Sequence, residues 1–305
     1  MADELTVSVL GLGLMGSAIA QVFVDKGWKT TVWNRTAAKA QPLADGGAVV
    51  ARSAQECIAA SHLVITCVLA PTAFRDIMGS VDAQACSGRV LVDFTSGRPK
   101  DISQCAELAK KMSFGTYFRG SVTTTPQHVG LPDTRLFYSG GDGRTFQSVL
   151  SALDHLGRST YLGTDAASAS QLEEAVASCF YGFCAGFMHS MAMLKTSQIY
   201  APGGAERYVS EAVAPMCTGL FPSFGAELAK QVDSGDYQTK GGGVRVDTLV
   251  HGLENLIQSS TDQGLSPILL ESILKVLRVR VEQGGAAEEI SGLVETLLDP
   301  NRLSE

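Results

Sequence analysis

The sequence predicts an α/β domain built on a parallel sheet, followed by an all-α domain. In the first half of the 305 residues, short apolar runs alternate with helical patterns, and this alternation ends near residue 163. Beyond that point, most segments are compatible with a helix. Because continuous apolar strands joined by helices form parallel sheets covered on both faces, we place an α/β domain at residues 1–164 and a helical domain at residues 165–305.

Six short segments rich in β-branched and apolar residues predict the strands of the first domain. They are residues 6–10, 30–33, 63–69, 90–94, 136–139 and 159–162. A helix that ends at about residue 26 follows the first strand. A second helical pattern, near residues 145–156, separates the last two strands.

The second domain begins with a long predicted helix at residues 166–195, of which residues 175–194 carry no charge. That length could cross a bilayer. Polar residues such as Ser178 and His189, and the absence of charged flanks of the pattern expected for a membrane span, favour instead a central helix of a globular protein, buried on all sides. Further helices are predicted at 223–233, 244–263, 267–283 and 286–298. The glycine run at 240–243 predicts either a mobile flap or a surface loop.

Composition limits the classes of partner. The 24 Lys and Arg residues stand against 31 Asp and Glu residues, which gives a net charge of −7, and 45% of the residues are hydrophobic. Such a chain folds with a sizeable core but has no excess of positive charge to hold a polyanion. We therefore expect an acidic globular protein that binds neither nucleic acid nor an anionic membrane surface.

The seven cysteines are scattered and form no C-x-x-C pair, which is typical of a reducing compartment. The acidic N-terminus lacks the cationic region of a signal peptide. The five histidines show no zinc-ligand spacing. The sequence therefore predicts a cytoplasmic protein without a metal site.

The turn after the first predicted strand reads G-L-G-L-M-G at residues 11–16. In a strand–turn–helix unit, Gly11 permits the tight turn, Gly13 lets the backbone approach a diphosphate, and Gly16 lets the helix pack close to the strand. The diphosphate would lie at the positive N-terminus of the helix. This pattern predicts a Rossmann domain that binds a dinucleotide. The candidate ligands from the turn are Gly11, Leu12, Gly13, Leu14, Met15 and Gly16.

The end of the second predicted strand distinguishes the two nicotinamide cofactors. An NAD-binding domain usually carries Asp or Glu here to bind the ribose 2′-hydroxyl, whereas this chain reads W-N-R-T at residues 33–36, with Lys39 one turn further. A guanidinium beside hydrogen-bonding side chains suits a 2′-phosphate. The alternative is that Arg35 is a solvated surface cation. We predict NADP(H), held by Asn34, Arg35, Thr36 and Lys39.

Several segments recur in the order found in one enzyme family. They are residues 11–16, 30–36, 95–99, 161–165, 229–237 and 252–255. Together they resemble the imine reductases and reductive aminases, a branch of the β-hydroxyacid dehydrogenase superfamily. The resemblance implies a Rossmann domain, a long inter-domain helix and a helical C-terminal domain. It also implies an intertwined homodimer whose active sites combine the cofactor domain of one subunit with the helical domain of the other.

The resemblance extends to the walls of the active site. It implies that Leu69, Thr95 and Ser96 contact the cofactor. Many relatives carry Asn where Ser96 stands. The substrate pocket that the resemblance implies is lined by Ser96, Val122, Thr123, Met216 and Phe221.

Two residues of the inter-domain helix are the candidate catalytic residues. By the resemblance, Glu173 stands where the family carries Asp or Tyr, and Tyr181 matches a tyrosine of the reductive aminases. Residues seven or eight apart return to nearly the same helix face, so Glu174 is an alternative to Glu173. The structural alternative is a capping box, in which Ser170 and Glu173 only satisfy the backbone at the helix start.

We therefore hypothesise an NADPH-dependent enzyme that reduces imines or iminium ions to amines, with reductive amination of ketones or aldehydes as an extension. One alternative is an NADP-dependent β-hydroxyacid dehydrogenase, which places a catalytic Lys early in the inter-domain helix. No Lys lies between Lys111 and Lys195, which weakens that alternative. The dehydrogenases use this Lys on the proton of the substrate hydroxyl, and an imine has no such proton. A non-catalytic NADP(H)-binding sensor is the other alternative, which the polar Ser96 and Thr123 keep open.

Overall fold

A computed structural model of the chain describes residues 5–197, 203–239 and 243–303. The chain divides into two compact units, Met1–Cys179 and Phe180–Glu305. The division falls inside a helix of 29 residues, Ser168–Thr196.

The described residues of the first unit form one eight-stranded sheet in the order β3-β2-β1-β4-β5-β6-β7-β8. Its strands are β1 (Thr6–Leu10), β2 (Lys29–Trp33), β3 (Val49–Val50), β4 (Leu63–Thr66), β5 (Val90–Asp93), β6 (Thr116–Val122), β7 (Arg135–Ser139) and β8 (Arg158–Tyr161). Neighbouring strands are parallel except β6 and β7, which are antiparallel. The α/β class is confirmed, and the expectation of a wholly parallel sheet is wrong at this one pair.

The sequence pattern does not indicate two of these strands. β3 has only two residues, and both are exposed. β6 reads T-Y-F-R-G-S-V, so that a charged residue and a glycine interrupt the apolar run that marks a buried strand. Five of its seven residues are nevertheless buried.

Helices connect the strands and continue into the second unit. In the first unit they are α1 (Leu14–Asp25), α2 (Gln41–Asp45), α3 (Ala54–Ala59), α4 (Pro71–Gly79), α5 (Ala83–Cys86), α6 (Pro99–Lys111) and α7 (Gly143–Leu153), with 3₁₀ turns at Ala37–Ala40 and Pro126–His128. The long helix is α8 (Ser168–Thr196). The second unit contains α9 (Gly204–Tyr208), α10 (Phe221–Ser234), α11 (Val246–Asp262), α12 (Ile268–Arg280) and α13 (Leu293–Leu297), with π-helical segments at Val209–Val213, Met216–Leu220 and Val281–Gly285 and 3₁₀ turns at Ile290–Gly292 and Pro300–Leu303.

A hydrophobic core covers each face of the sheet. On one face, Ile65 belongs to a buried cluster that includes Phe23 of α1. On the other face, Val64 belongs to a cluster that includes Phe74 of α4. Successive residues of a strand point to opposite faces, so a strand buried on both sides must be apolar throughout. This is why β4 and β5 are recognisable as continuous apolar runs.

The expectation that the long helix is buried on all sides is wrong for the single chain. Large apolar side chains along α8 are exposed, among them Val176, Phe180, Tyr181, Phe183 and Met188. By length and composition alone, the helix could cross a membrane. A single chain therefore presents an extended apolar helix surface, which neither the core of the sheet nor the rest of the described chain covers.

The predicted helix at residues 286–298 is wrong in its first half. Glu288 and Glu289 instead form isolated bridges to Gln238 and Arg245, and the α-helix begins only at Leu293. Gly284, with φ of 90°, kinks the chain inside the segment Val281–Gly285. Of the glycine run at 240–243, residues 240–242 lie outside the described residues.

Candidate active site

The glycine turn at the end of β1 leaves backbone open to a ligand. Gly11 has φ of 94°, and its carbonyl oxygen lies where a Cβ on residue 16 would have to be. At Gly13, by contrast, no heavy atom lies within 4 Å of the place of a Cβ. The helix that follows has no side-chain hydrogen bond at its N-cap, so its first N–H groups remain available to an anion. The turn therefore has the shape and polarity that a diphosphate requires.

The loop after β2 is fastened to this turn by one side chain. Oδ1 of Asn34 accepts a hydrogen bond from the backbone N–H of Leu12 at 2.9 Å, and Nδ2 donates to the carbonyl of Thr36 at 3.0 Å. Arg35 and Lys39 line the same cavity, and their side chains make no hydrogen bond or ion pair with any residue that the structure describes. Two unpaired cations beside the glycine turn suit a phosphate.

The turn and this loop form one end of a cavity of about 850 Å³ in the first unit. This volume lies in the range of small-molecule and cofactor sites. Of the predicted residues, the cavity is lined by Gly11, Gly13, Leu14, Met15, Gly16, Asn34, Arg35, Thr36, Lys39, Leu69, Ser96, Val122 and Glu173. The structure thus brings most of the predicted cofactor set to one place.

Three of the predicted cofactor and pocket residues of the first unit are absent from the cavity lining. Leu12 is buried, and its backbone is held by the asparagine of the β2 loop. Thr95 is fully buried, and its backbone N–H donates to Asp93 at 3.0 Å. The hydroxyl of Thr123 donates to the carbonyl of Arg135. The roles of Leu12 and Thr95 as cofactor contacts, and of Thr123 as a pocket residue, stay predictions.

A buried carboxylate lies below the other end of the cavity, at the end of β5. Oδ1 of Asp93 accepts hydrogen bonds from Thr66 at 2.7 Å and from the backbone of Thr95 at 3.0 Å. Oδ2 accepts from the hydroxyl of Tyr117 at 3.0 Å. Burial, and then the neighbouring Asp93, raise the pKa of Tyr117 far above its usual range, so the phenol stays protonated and donates. This network joins the carboxyl ends of β4 and β5 to a side chain from the start of β6.

Arg119 of β6 reaches from this network to the cavity. Its side chain is 1% exposed, and it stands directly opposite Asp93 in the register of β5 and β6. Nη1 donates to the carbonyl of Asp93 at 3.1 Å, and Nε donates to Oγ of Ser170 at 3.0 Å. Nη2 donates to the carboxylate of Glu173, with which it forms an ion pair. A buried guanidinium is stable only with such partners.

Glu173 is held from two sides and is not a helix cap. One carboxylate oxygen accepts from Arg119, and the other accepts from the hydroxyl of Ser96 at 3.3 Å. The capping-box interpretation is wrong, because α8 begins at Ser168, earlier than the motif requires. The carboxylate of Asp165 instead accepts from the backbone N–H of Ala167 at 3.0 Å, which leaves Glu173 free to face the cavity.

The remaining predicted residues differ in their placement. Glu174 is exposed and does not line the cavity, so Glu173 is the carboxylate that the structure places there. Tyr181, Met216 and Phe221 belong to the second unit. Their side chains are 71%, 37% and 41% exposed in the single chain, and their roles stay predictions.

Sequence reasoning missed several residues of the cavity. Asp76 and Ser80 line it from the helix after β4, and nothing in their spacing marks them. Arg119 does carry a signal, since it is a charged residue within a strand that is otherwise apolar on both sides, Tyr117-Phe118-Arg119-Gly120. A charge in such a place needs a buried partner, which would have directed attention to a carboxylate from another element.

Comparisons with known proteins match both halves of the chain. Residues 6–163 match the family model of the NAD binding domain of 6-phosphogluconate dehydrogenase, and residues 165–299 match that of the NADPH-dependent reductive aminase-like C-terminal domain. The NADPH-dependent reductive aminase of Aspergillus oryzae is 33% identical over 292 residues, which are 95% of this chain and 96% of that protein.

Solved structures show the same similarity. A reductive aminase from Aspergillus terreus in complex with NADPH and ethyl levulinate superposes with a TM-score of 0.87 at 33% identity, over 96% of this chain and 99% of that one. An imine reductase from Aspergillus terreus in complex with NADPH4 and dibenz[c,e]azepine gives 0.86 at 33% identity, over 95% and 98% of the two chains. The match extends over both units, and the chain therefore belongs to the family of NADPH-dependent reductive aminases and imine reductases.

Proposed function

We propose that this chain is an NADPH-dependent imine reductase that also reduces the imines formed from ketones or aldehydes and amines. The observation that carries the proposal is the single cavity with two chemically distinct ends. One end offers an open glycine turn and two unpaired cations, and the other offers Ser96 and the ion pair of Glu173 with Arg119. The family membership supports the same reaction.

The residues at the first end fit NADPH. Any side chain at Gly13 would occupy the space that the diphosphate needs, and the uncapped start of α1 offers N–H groups to it. Arg35 and Lys39 are available for the 2′-phosphate, which carries the charge that distinguishes NADPH from NADH. No carboxylate stands beside them to repel that phosphate at the end of β2.

The residues at the second end fit a C=N group. When bound, NADPH supplies a hydride to the carbon of the C=N bond, while the nitrogen retains the electron pair and the cofactor is released as NADP⁺. An iminium ion already carries the positive charge that this electron pair neutralises, so the protein has no proton to remove. Its task is to orient the nitrogen and exclude water. Because both oxygens of Glu173 accept hydrogen bonds, we propose that it anchors the polar wall and does not donate a proton.

We also propose that the protein is a homodimer in the cytoplasm. The exposed apolar side chains of α8, including Phe180, Tyr181 and Phe183, need a cover in water, and a second copy of the chain supplies one of matching character. In such a dimer Tyr181 would leave solvent and orient the amine. All seven cysteines are free, which suits a reducing compartment.

The reaction is tested with the purified protein, NADPH and a cyclic imine such as 1-pyrroline or 3,4-dihydroisoquinoline. We expect loss of NADPH absorbance matched by amine formation in mass spectrometry, and a slower reaction with a ketone and excess primary amine. Tight NADPH binding without turnover of any C=N substrate would overturn the proposal. Oxidation of a β-hydroxy acid with NADP⁺ in a parallel well would favour the dehydrogenase. Sedimentation velocity tests the dimer, which a monomer at micromolar concentration would contradict.

A further inference from the structure

The hydroxyl of Ser96 has only one proton, and a carboxylate oxygen within hydrogen-bond distance is the acceptor for it. Ser96 lines the cavity, and its Oγ donates to Glu173 at 3.3 Å. A serine hydroxyl has one donor and two acceptor lone pairs. With its proton directed to the carboxylate, Ser96 can offer a ligand in the cavity only an acceptor.

The direction of this bond depends on Arg119. A carboxylate that ionises accepts hydrogen bonds and donates none, and the buried guanidinium pairs with Glu173 from the side opposite Ser96. Arg119 is itself fixed by the carbonyl of Asp93 and by Ser170. The guanidinium of Arg119 and the hydroxyl of Ser96 therefore both donate to the same carboxylate.

The ion pair of Arg119 and Glu173 also determines the net charge of the cavity wall. Glu173 is the carboxylate that lines the cavity beside Ser96, and Arg119 balances its charge. A cationic substrate thus meets a wall whose net charge is close to zero. Attraction between unlike charges alone would not hold it there, and a directed hydrogen bond must do so.

We propose that Arg119 is a positioning residue which, through Glu173, fixes Ser96 as a hydrogen-bond acceptor for the nitrogen of the substrate. The site then selects iminium ions that carry an N–H, which arise from ammonia and primary amines, over those whose nitrogen is fully alkylated, which arise from secondary amines. This inference rests on the proposed function and names its substrate class.

The test compares two substrates that differ by one methyl group. They are 3,4-dihydroisoquinoline, assayed at a pH low enough to protonate it, and the N-methyl-3,4-dihydroisoquinolinium ion, which has no N–H. A hydrogen bond to a charged donor contributes about 1.5–3 kcal/mol, so we expect kcat/KM of the wild type to favour the N–H substrate by about 10-fold to 100-fold. In Ser96→Ala, this ratio should fall close to one.

Variants of Arg119 test the positioning role. Arg119→Met should lower the ratio as Ser96→Ala does, and Arg119→Lys should restore part of it. In a Glu173→Gln background, changing Arg119 should have no further effect on the ratio, because the residue acts through that carboxylate. Arg89→Met is the control, since Arg89 is partly buried and, like Arg119, donates to backbone carbonyl groups, but does not line the cavity. It should leave the ratio unchanged.

The outcomes separate the two proposals. If neither substrate is reduced while NADPH binds, the proposed function fails, and this inference fails with it. If both are reduced equally by the wild type, or if Ser96→Ala keeps the full preference, the reaction stands and the inference is overturned. The serine variant leaves the core intact, so the test holds even if Arg119→Met does not fold. The dissociation constant of NADPH, measured by fluorescence, checks that each variant keeps the cofactor end.

Discussion

The two ends of the cavity are built in different ways. The cofactor end consists of a glycine turn and a loop that are close in sequence, and the bond that joins them, from Leu12 to Asn34, spans 22 residues. The substrate end consists of side chains from separate elements. The pair of Arg119 and Glu173 spans 54 residues, and the bond from Ser96 to Glu173 spans 77.

This difference determines how each end fails. At the cofactor end the backbone itself forms the binding surface, so a substitution acts through steric exclusion. At the substrate end a buried charge and its partners form the surface, so a substitution acts by leaving a polar group without a partner. The first kind of failure depends on shape, and the second depends on hydrogen bonding.

The largest effect is expected at Gly16. A Cβ there would overlap the carbonyl oxygen of Gly11, so Gly16→Val must push α1 away from β1. Overpacking of this kind costs about 3 kcal/mol, which in a chain of this size lowers Tm by about 5 °C. We expect loss of NADPH binding by fluorescence together with that fall in Tm by calorimetry.

The matched control is Gly13→Ala. No heavy atom lies within 4 Å of the new methyl group, so the fold should keep its Tm. The methyl group would stand in the path of the diphosphate, and NADPH affinity should still fall by about 10-fold or more, the equivalent of about 1.4 kcal/mol. Native NADPH affinity in Gly16→Val, or an equal loss of Tm in both variants, would contradict the steric account of this end.

The second effect concerns the choice of cofactor. Arg35 and Lys39 have no partner among the described residues, so replacing both by Ala removes contacts to a ligand and none within the protein. We expect kcat/KM with NADPH to fall by about 10-fold to 100-fold, the loss of one charge-assisted contact or more, and kcat/KM with NADH to change little. Lys110→Ala, at the C-terminal end of α6, is the control for a lost surface cation. An equal loss with both cofactors would remove the 2′-phosphate assignment.

The sequence predicts the cofactor end better than the substrate end for a physical reason. Gly11, Gly13 and Gly16 lie within six residues, and their spacing reflects one local geometry that recurs wherever a strand turns into a helix over a diphosphate. The strands β4 and β5 are equally easy to predict from the sequence, because burial on both faces of the sheet requires an unbroken apolar run.

The substrate end leaves no local pattern. The charge of Arg119 interrupts the apolar run of β6, so the strand is not recognisable from its sequence. The pairing of Arg119 with Glu173 depends on the sheet order, which places β6 beside β5. Ser170 and Glu173 even form a sequence motif for a helix cap, although the helix starts before them. The exposed surface of α8 is a further example, since its cover would lie in another molecule.

A third effect tests the buried support of the substrate end. Tyr117→Phe removes the donor to Oδ2 of Asp93 and leaves a buried carboxylate oxygen without this partner, at a cost of about 2 kcal/mol. Tyr138→Phe is the matched control, because the buried hydroxyl of Tyr138, beside Ser159, makes no hydrogen bond of good geometry, and its loss should cost little. We expect urea midpoints to fall clearly for the first variant and scarcely for the second. Equal midpoints would show that the network around Asp93 does not support this end.

The smallest effect is expected at Cys67, which lines the cavity between its two ends. Burial raises the pKa of its thiol to about 12, so the thiol is neutral below that pH and the reactive thiolate increases about tenfold with each unit of pH. Near neutral pH, iodoacetamide should therefore modify Cys67 on the order of a thousandfold more slowly than a cysteine of ordinary pKa, and activity should persist. Peptide mass spectrometry checks this, with protein in denaturant as the control in which the thiol reacts. Rapid labelling of Cys67 in the folded protein, with matching loss of activity, would mean that water and charge reach the middle of the cavity. Only a bound ligand or a second chain could then exclude water from the cavity.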